Sequence, residues 1–143
     1  MNTFWKINGI SVLYALVIFI PIELFLNALR IQRLMEWELT VTGVVIGITA
    51  LTLVVLISAL IIVLTKKWLK HRKSSFWSVL LWLPYFVLLV FIYISLFPPI
   101  INPADQGGPG DGMIVLVLLL IYPIFIVLLN ALSAFAGRGS VMK

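Results

Sequence analysis

Glu23 is the carboxylate of this chain that falls inside a long apolar stretch, Ile7 to Leu29. A charged side chain within a bilayer costs on the order of 2.5–3.5 kcal/mol on insertion scales, so Glu23 is expected to face protein or water and to have a partner. Helical spacing supplies two candidates, because Asn27 lies one turn further along the same face and Arg30 nearly two turns. Two chemistries follow from Glu23, Asn27 and Arg30. In the structural one, Asn27 and Arg30 satisfy a carboxylate that sits close to the headgroups. In the functional one, Glu23 is a protonatable or cation-binding group in a pathway, with Pro21 opening the backbone two residues before it.

Other reactive constellations are absent from the sequence. The chain has no cysteine, which excludes disulfides, thiolate nucleophiles and thiolate metal sites. His71 is the single histidine and stands in a basic segment, so neither a serine–histidine dyad nor a histidine-rich metal site is expected. Gly108-Pro109-Gly110-Asp111 resembles the GxGD motif of intramembrane aspartyl proteases and prepilin peptidases. That chemistry needs a second aspartate to share a proton, and the other aspartate, Asp105, lies in the same loop. Asp105 and Asp111 also lack the alternating oxygen ligands and closing glutamate of a calcium loop. No catalytic residue, metal or cofactor is therefore expected.

The elements that must position Glu23 are set by composition. Hydrophobic residues make up 63% of the chain and charged residues 10%, with a mean hydropathy of +1.21. Such a chain cannot cover a water-soluble globule with polar surface. Four apolar runs, 7–29, 39–65, 76–97 and 113–136, are each long enough to cross a hydrocarbon core about 30 Å thick. An all-α membrane protein is expected, a four-transmembrane-helix bundle that uses residues 1–143 as a single integral membrane domain. Lys6 precedes the first run as in a signal peptide, but the run is longer than an ordinary signal core and no A-x-A-like site follows. The segment is expected to remain as a span.

Charge gives the orientation. Lys66, Lys67, Lys70, Arg72 and Lys73 cluster around His71 between the second and third runs, and basic residues beside a span are retained in the cytoplasm. With that loop inside, four spans place both termini inside, together with Lys6, Arg138 and Lys143. Only Arg30 and Arg33 of the ten Lys/Arg then lie outside, where all five acidic residues also fall or approach. An N-in/C-in multi-pass protein of the plasma (inner) membrane is expected. The same basic residues, with Trp68 among them, offer a contact for anionic lipid headgroups or for an acidic face of a partner. Nucleic-acid binding is not expected, since so short a loop carries no reading module.

The second run contains Gly43-Val44-Val45-Ile46-Gly47, a G-x-x-x-G pattern in which small residues one turn apart let two helix backbones approach closely. Gly43 and Gly47 are expected to pack against a helix, with another span of this chain as the first choice. The last connector, 98–112, holds four prolines and four glycines and reads as an irregular exposed loop. Polar residues in the spans are few, whereas a solute pathway needs several. The leading functional expectation is a non-catalytic integral membrane protein that acts through helix–helix association, as a subunit or an accessory, sensor or immunity component of a membrane assembly. The alternative is a homo-oligomeric channel or small transporter with Glu23 in the pathway, self-association being required because four spans rarely enclose a pore.

Overall fold

The computed structural model describes residues 2–68, 72–97 and 101–141, and the described chain is all helical. Its five α-helices are α1 (Thr3–Leu26), α2 (Ala28–Met35), α3 (Leu39–Trp68), α4 (Arg72–Leu96) and α5 (Asp111–Val141), with a short 3-10 turn at Pro103–Asp105 before α5. Four of them, α1, α3, α4 and α5, are long and apolar enough to cross a membrane. At 1.5 Å per residue, even the 24 residues of α1 reach about 36 Å, more than the roughly 30 Å of hydrocarbon. Leu51, Leu80, Phe91 and Leu120 are each exposed by more than 65%, a surface suited to lipid rather than water.

The helices run past the apolar stretches that define them, because polar residues at a span end lose nothing by staying helical outside the hydrocarbon. The larger departure from the sequence pattern is at Asn27. There α1 ends, and 28–35, which the sequence marks as the end of a span and a polar connector, forms the separate helix α2. Proline does not cause the break, since Pro21 lies six residues earlier. Asn27 leaves the helical region at φ −98°, ψ 9°, and its Nδ2 donates to the Glu23 carbonyl over 2.8 Å, competing with the helix ladder as short polar side chains do. Glu36 closes α2 in the left-handed conformation at φ 54°, and Trp37 N–H then donates to Gln32 O over 3.2 Å.

Packing is centred on α1. Of its most apolar stretch 39% is buried, against 6%, 11% and 17% for α3, α4 and α5, so α1 is the helix that the others cover. It lies chiefly against α4 and α3, with α5 touching it more lightly. The buried side, Ile10, Ser11, Tyr14, Ala15, Val17, Ile18 and Ile22, advances three to four residues at a time, the spacing of one helix face. Phe19 of α1 meets Phe86 and Tyr93 of α4 edge-on, with centroids 6.3 and 6.1 Å apart. Trp82 of α4 meets Tyr122 of α5 edge-on at 4.8 Å, and Ile61, Ile126 and Leu129 complete the core. Aromatic pairs of this kind contribute roughly 0.5–1.5 kcal/mol each beyond their area.

Candidate functional site

Polar side chains gather in two places within this apolar frame. The first surrounds Glu23. One turn below the break at Asn27, the half-buried Glu23 lines a cleft of about 260 Å³ whose apolar walls are Phe19, Ile20, Leu24 and Ile31 and whose other polar members are Asn27 and Tyr93. Asn27 is buried, and its Nδ2 reaches Glu23 Oε2 at 3.4 Å as well as the Glu23 carbonyl. The structure therefore brings together Glu23 and Asn27 as the sequence spacing expects. Arg30 stands beyond the helix break on α2. Pro21, in the turn before Glu23, supplies no N–H to the α1 ladder.

The second place is a set of buried hydroxyls and amides that the low polar content of the spans conceals. Tyr14, fully buried on α1, donates its hydroxyl to Asn130 Oδ1 on α5 over 3.0 Å. The Tyr122 hydroxyl of α5 donates back to the Tyr14 carbonyl, and the Tyr85 hydroxyl of α4 donates to Asn8 Oδ1 on α1. Ser11 and Ser133 are buried too, but each returns its hydroxyl to a carbonyl one turn earlier, at Ile7 and Leu129. Among the described residues, Ser58 Oγ and Thr65 Oγ1 on α3 are buried without a hydrogen-bond partner. A sequence signal for this network exists. All four tyrosines lie in the spans, and Asn8 and Asn130 are asparagines within apolar runs, where an amide needs a partner.

The glycine pair turns out differently from the first expectation. A Cβ added at Gly43 or at Gly47 would meet nothing within 4 Å, and both residues are exposed. Their helix faces its neighbours through Thr42, Ile61 and Thr65 instead, so the G-x-x-x-G surface is not a contact with another described span of this chain.

At the other connections, Lys66 and Lys67 are exposed in the last turn of α3. Lys70 and His71 lie outside the described residues, as do the side chains of Arg72 and Lys73 at the start of α4. Trp68 packs over Gly9, where a Cβ would sit 3.6 Å from its ring. Asp111, the last residue of the GxGD-like sequence, occupies the first turn of α5, where a carboxylate favours the helix dipole. It presses on Gly107 so closely that a Cβ there would fall 1.6 Å from Asp111 Oδ2, which gives the aspartate a structural role at the helix start.

Taken together, the described residues form one open, carboxylate-bearing cleft, one buried hydrogen-bonded seam and one unoccupied glycine face. Comparison with protein families, with curated proteins and with solved structures gives no match for this chain.

Proposed function

We propose that this is a non-catalytic integral membrane protein that works through helix–helix association, as a subunit or an accessory, sensor or immunity component of a membrane assembly. The observation that carries this reading is α3. It is the least buried of the four apolar helices, and its close-approach pair, Gly43 and Gly47, meets no other part of the described chain. In lipid, helices gain little from burying apolar side chains and associate through close packing, for which a flat glycine surface is suited. The chain has no cysteine, so Gly47→Cys provides a single reactive position. Bismaleimide cross-linking of that variant in intact membranes is expected to give one discrete product, with a second copy or with a partner. Labelling as an unlinked monomer at every reagent concentration would contradict the reading.

This reading includes a plasma (inner) membrane location with both termini and the basic loop in the cytoplasm, and the Lys/Arg distribution supports the orientation. Lys70→Cys is then expected to resist impermeant maleimide applied to intact cells and to react after permeabilisation. Reaction before permeabilisation would reverse the orientation. The basic loop then offers Lys66 and Lys67 to anionic lipid headgroups, with the remaining basic residues of the cluster beside them.

A second reading, a homo-oligomeric channel or small transporter, is favoured by one observation. Glu23 borders a cleft whose surface is mostly apolar, and its carboxylate accepts a hydrogen bond from a neutral amide, Asn27. A carboxylate arranged in this way accommodates a mobile cation or proton.

A further inference from the structure

We propose that the groove between the N-terminal parts of α1 and α4 holds an acyl chain of an anionic phospholipid, with the headgroup at the basic end of the bundle. The proposal rests on the headgroup contact put forward for that end and deepens it, whereas association through α3 stands or falls separately.

The groove has a volume of about 350 Å³ and is lined by Phe4, Ile7 and Asn8 of α1 and by Trp77 and Leu81 of α4. The Asn8 amide is engaged at both ends, Nδ2 donating to the Phe4 carbonyl over 2.7 Å and Oδ1 accepting from the Tyr85 hydroxyl. What remains is an apolar surface, and Phe4 and Trp77 are exposed at its rim, so it opens sideways on lipid. Each helix supplies about one turn of wall, roughly 6 Å, which is too short to seat another helix of about 10–12 Å diameter and suits a slender alkyl chain.

Lys73, Trp77 and Leu81 follow at intervals of four residues, so one face of α4 passes from a basic to an aromatic to an aliphatic position. At 1.5 Å rise per residue, positions 73 and 81 stand about 12 Å apart along the axis, with Trp77 about 6 Å from each. The interfacial layer is roughly 5–8 Å deep on each side of the hydrocarbon. Position 73 therefore falls at the headgroups and Leu81 among the tails, with the indole at the boundary that tryptophan favours.

Charge selects the headgroup. Lys6 stands between Phe4 and Ile7 on α1, and Trp68, whose ring lies over Gly9, brings the end of α3 with Lys66 and Lys67 beside α1. Among the described residues, none of these three lysines takes part in an ion pair. None of the five acidic residues lies in 1–22 or in 39–104. Basic positions at the mouth of a groove between spanning helices attract an anionic phosphodiester and disfavour a zwitterionic headgroup, which carries a cation of its own.

The test is native mass spectrometry of the whole protein released from nanodiscs of equimolar phosphatidylglycerol and phosphatidylcholine. One phosphatidylglycerol per chain is expected to stay bound after the other lipids are stripped, enriched roughly tenfold over phosphatidylcholine, a preference of about 1.4 kcal/mol. Leu81→Trp, which fills the groove and keeps every charge, is expected to lose that lipid. Lys6→Gln combined with Lys73→Gln is expected to keep a lipid and lose the preference. Wild-type retention of phosphatidylglycerol by a folded Leu81→Trp protein would overturn the groove while leaving the headgroup contact, and equal retention of the two lipids by wild type would overturn both. If Leu81→Trp does not fold by circular dichroism, competition in wild type decides. Dioctanoyl phosphatidylglycerol is expected to displace the bound lipid, and equal displacement by glycerophosphoglycerol, the same headgroup without tails, would overturn the proposal.

Discussion

Tyr14→Ala is expected to destabilise the protein by about 3–5 kcal/mol, the range for deleting a large buried aromatic side chain from a close-packed core. Tyr14 is fully buried on the helix that the other three spans cover, so the cavity would open at the centre of the molecule rather than at a lipid-facing edge. The substitution also takes a donor from Asn130. Tyr14→Phe isolates that second part. Hydrogen bonds between membrane helices average about 0.6 kcal/mol with a maximum near 1.7, so the phenylalanine variant should lose between about 0.6 and 1.7 kcal/mol. Reversible unfolding in mixed micelles measures both. An alanine variant no less stable than the phenylalanine one would mean that α1 is not the central helix. The Tyr122 hydroxyl should remain bonded in either case, because it is directed at the Tyr14 backbone carbonyl.

The double variant Gly43→Ile, Gly47→Ile is expected to separate association from folding. Nothing lies within 4 Å of a Cβ at either position, so the branched side chains enter open space around α3 and the chain's own packing is untouched. Isoleucine is a better helix former than glycine by roughly a few tenths of a kcal/mol per site, so the monomer should be no less stable than wild type. Between two helices in close approach, however, the added side chains hold the backbones apart. Association should weaken by at least tenfold, about 1.4 kcal/mol. Förster transfer between labelled copies, or co-purification of a different partner, reads the loss. Full association by a stable double variant would remove the glycine face from any functional role.

How much of this was legible in the sequence depends on the kind of pattern involved. The four long helices were, since uncharged runs such as Leu39 to Thr65 are long and apolar enough to cross a bilayer as a single helix. Helical spacing puts Asn27 and Arg30 on the face of Glu23, and in the structure Asn27 Nδ2 reaches Glu23 Oε2 at 3.4 Å while Arg30 lies on the next helix. The break at Asn27 was not read, because an asparagine at the end of an apolar run looks the same whether its amide points to solvent or bonds the carbonyl one turn back. Nor was the face of each span. A helix in water carries an amphipathic stripe that points to the core, but α1, α3, α4 and α5 are apolar on every side, and a leucine suits lipid as well as protein. Leu51 and Ile61 have the same chemistry in α3, yet one is exposed and the other fully buried. The buried seam of Tyr14, Tyr122 and Asn130 was legible in composition and passed over, because tyrosine in a span is commonly an interfacial anchor. Gly43 and Gly47 announced a close-approach surface without saying what approaches it.

The mass of the gently solubilised complex, taken by native mass spectrometry with co-purifying proteins identified, bears most directly on association as the protein's mode of action. A species of fixed stoichiometry heavier than the 16.1 kDa monomer is expected, reverting to the monomer in the Gly43→Ile, Gly47→Ile variant. A wild-type protein recovered only as the 16.1 kDa monomer, under conditions in which Tyr14-centred packing survives, would contradict it.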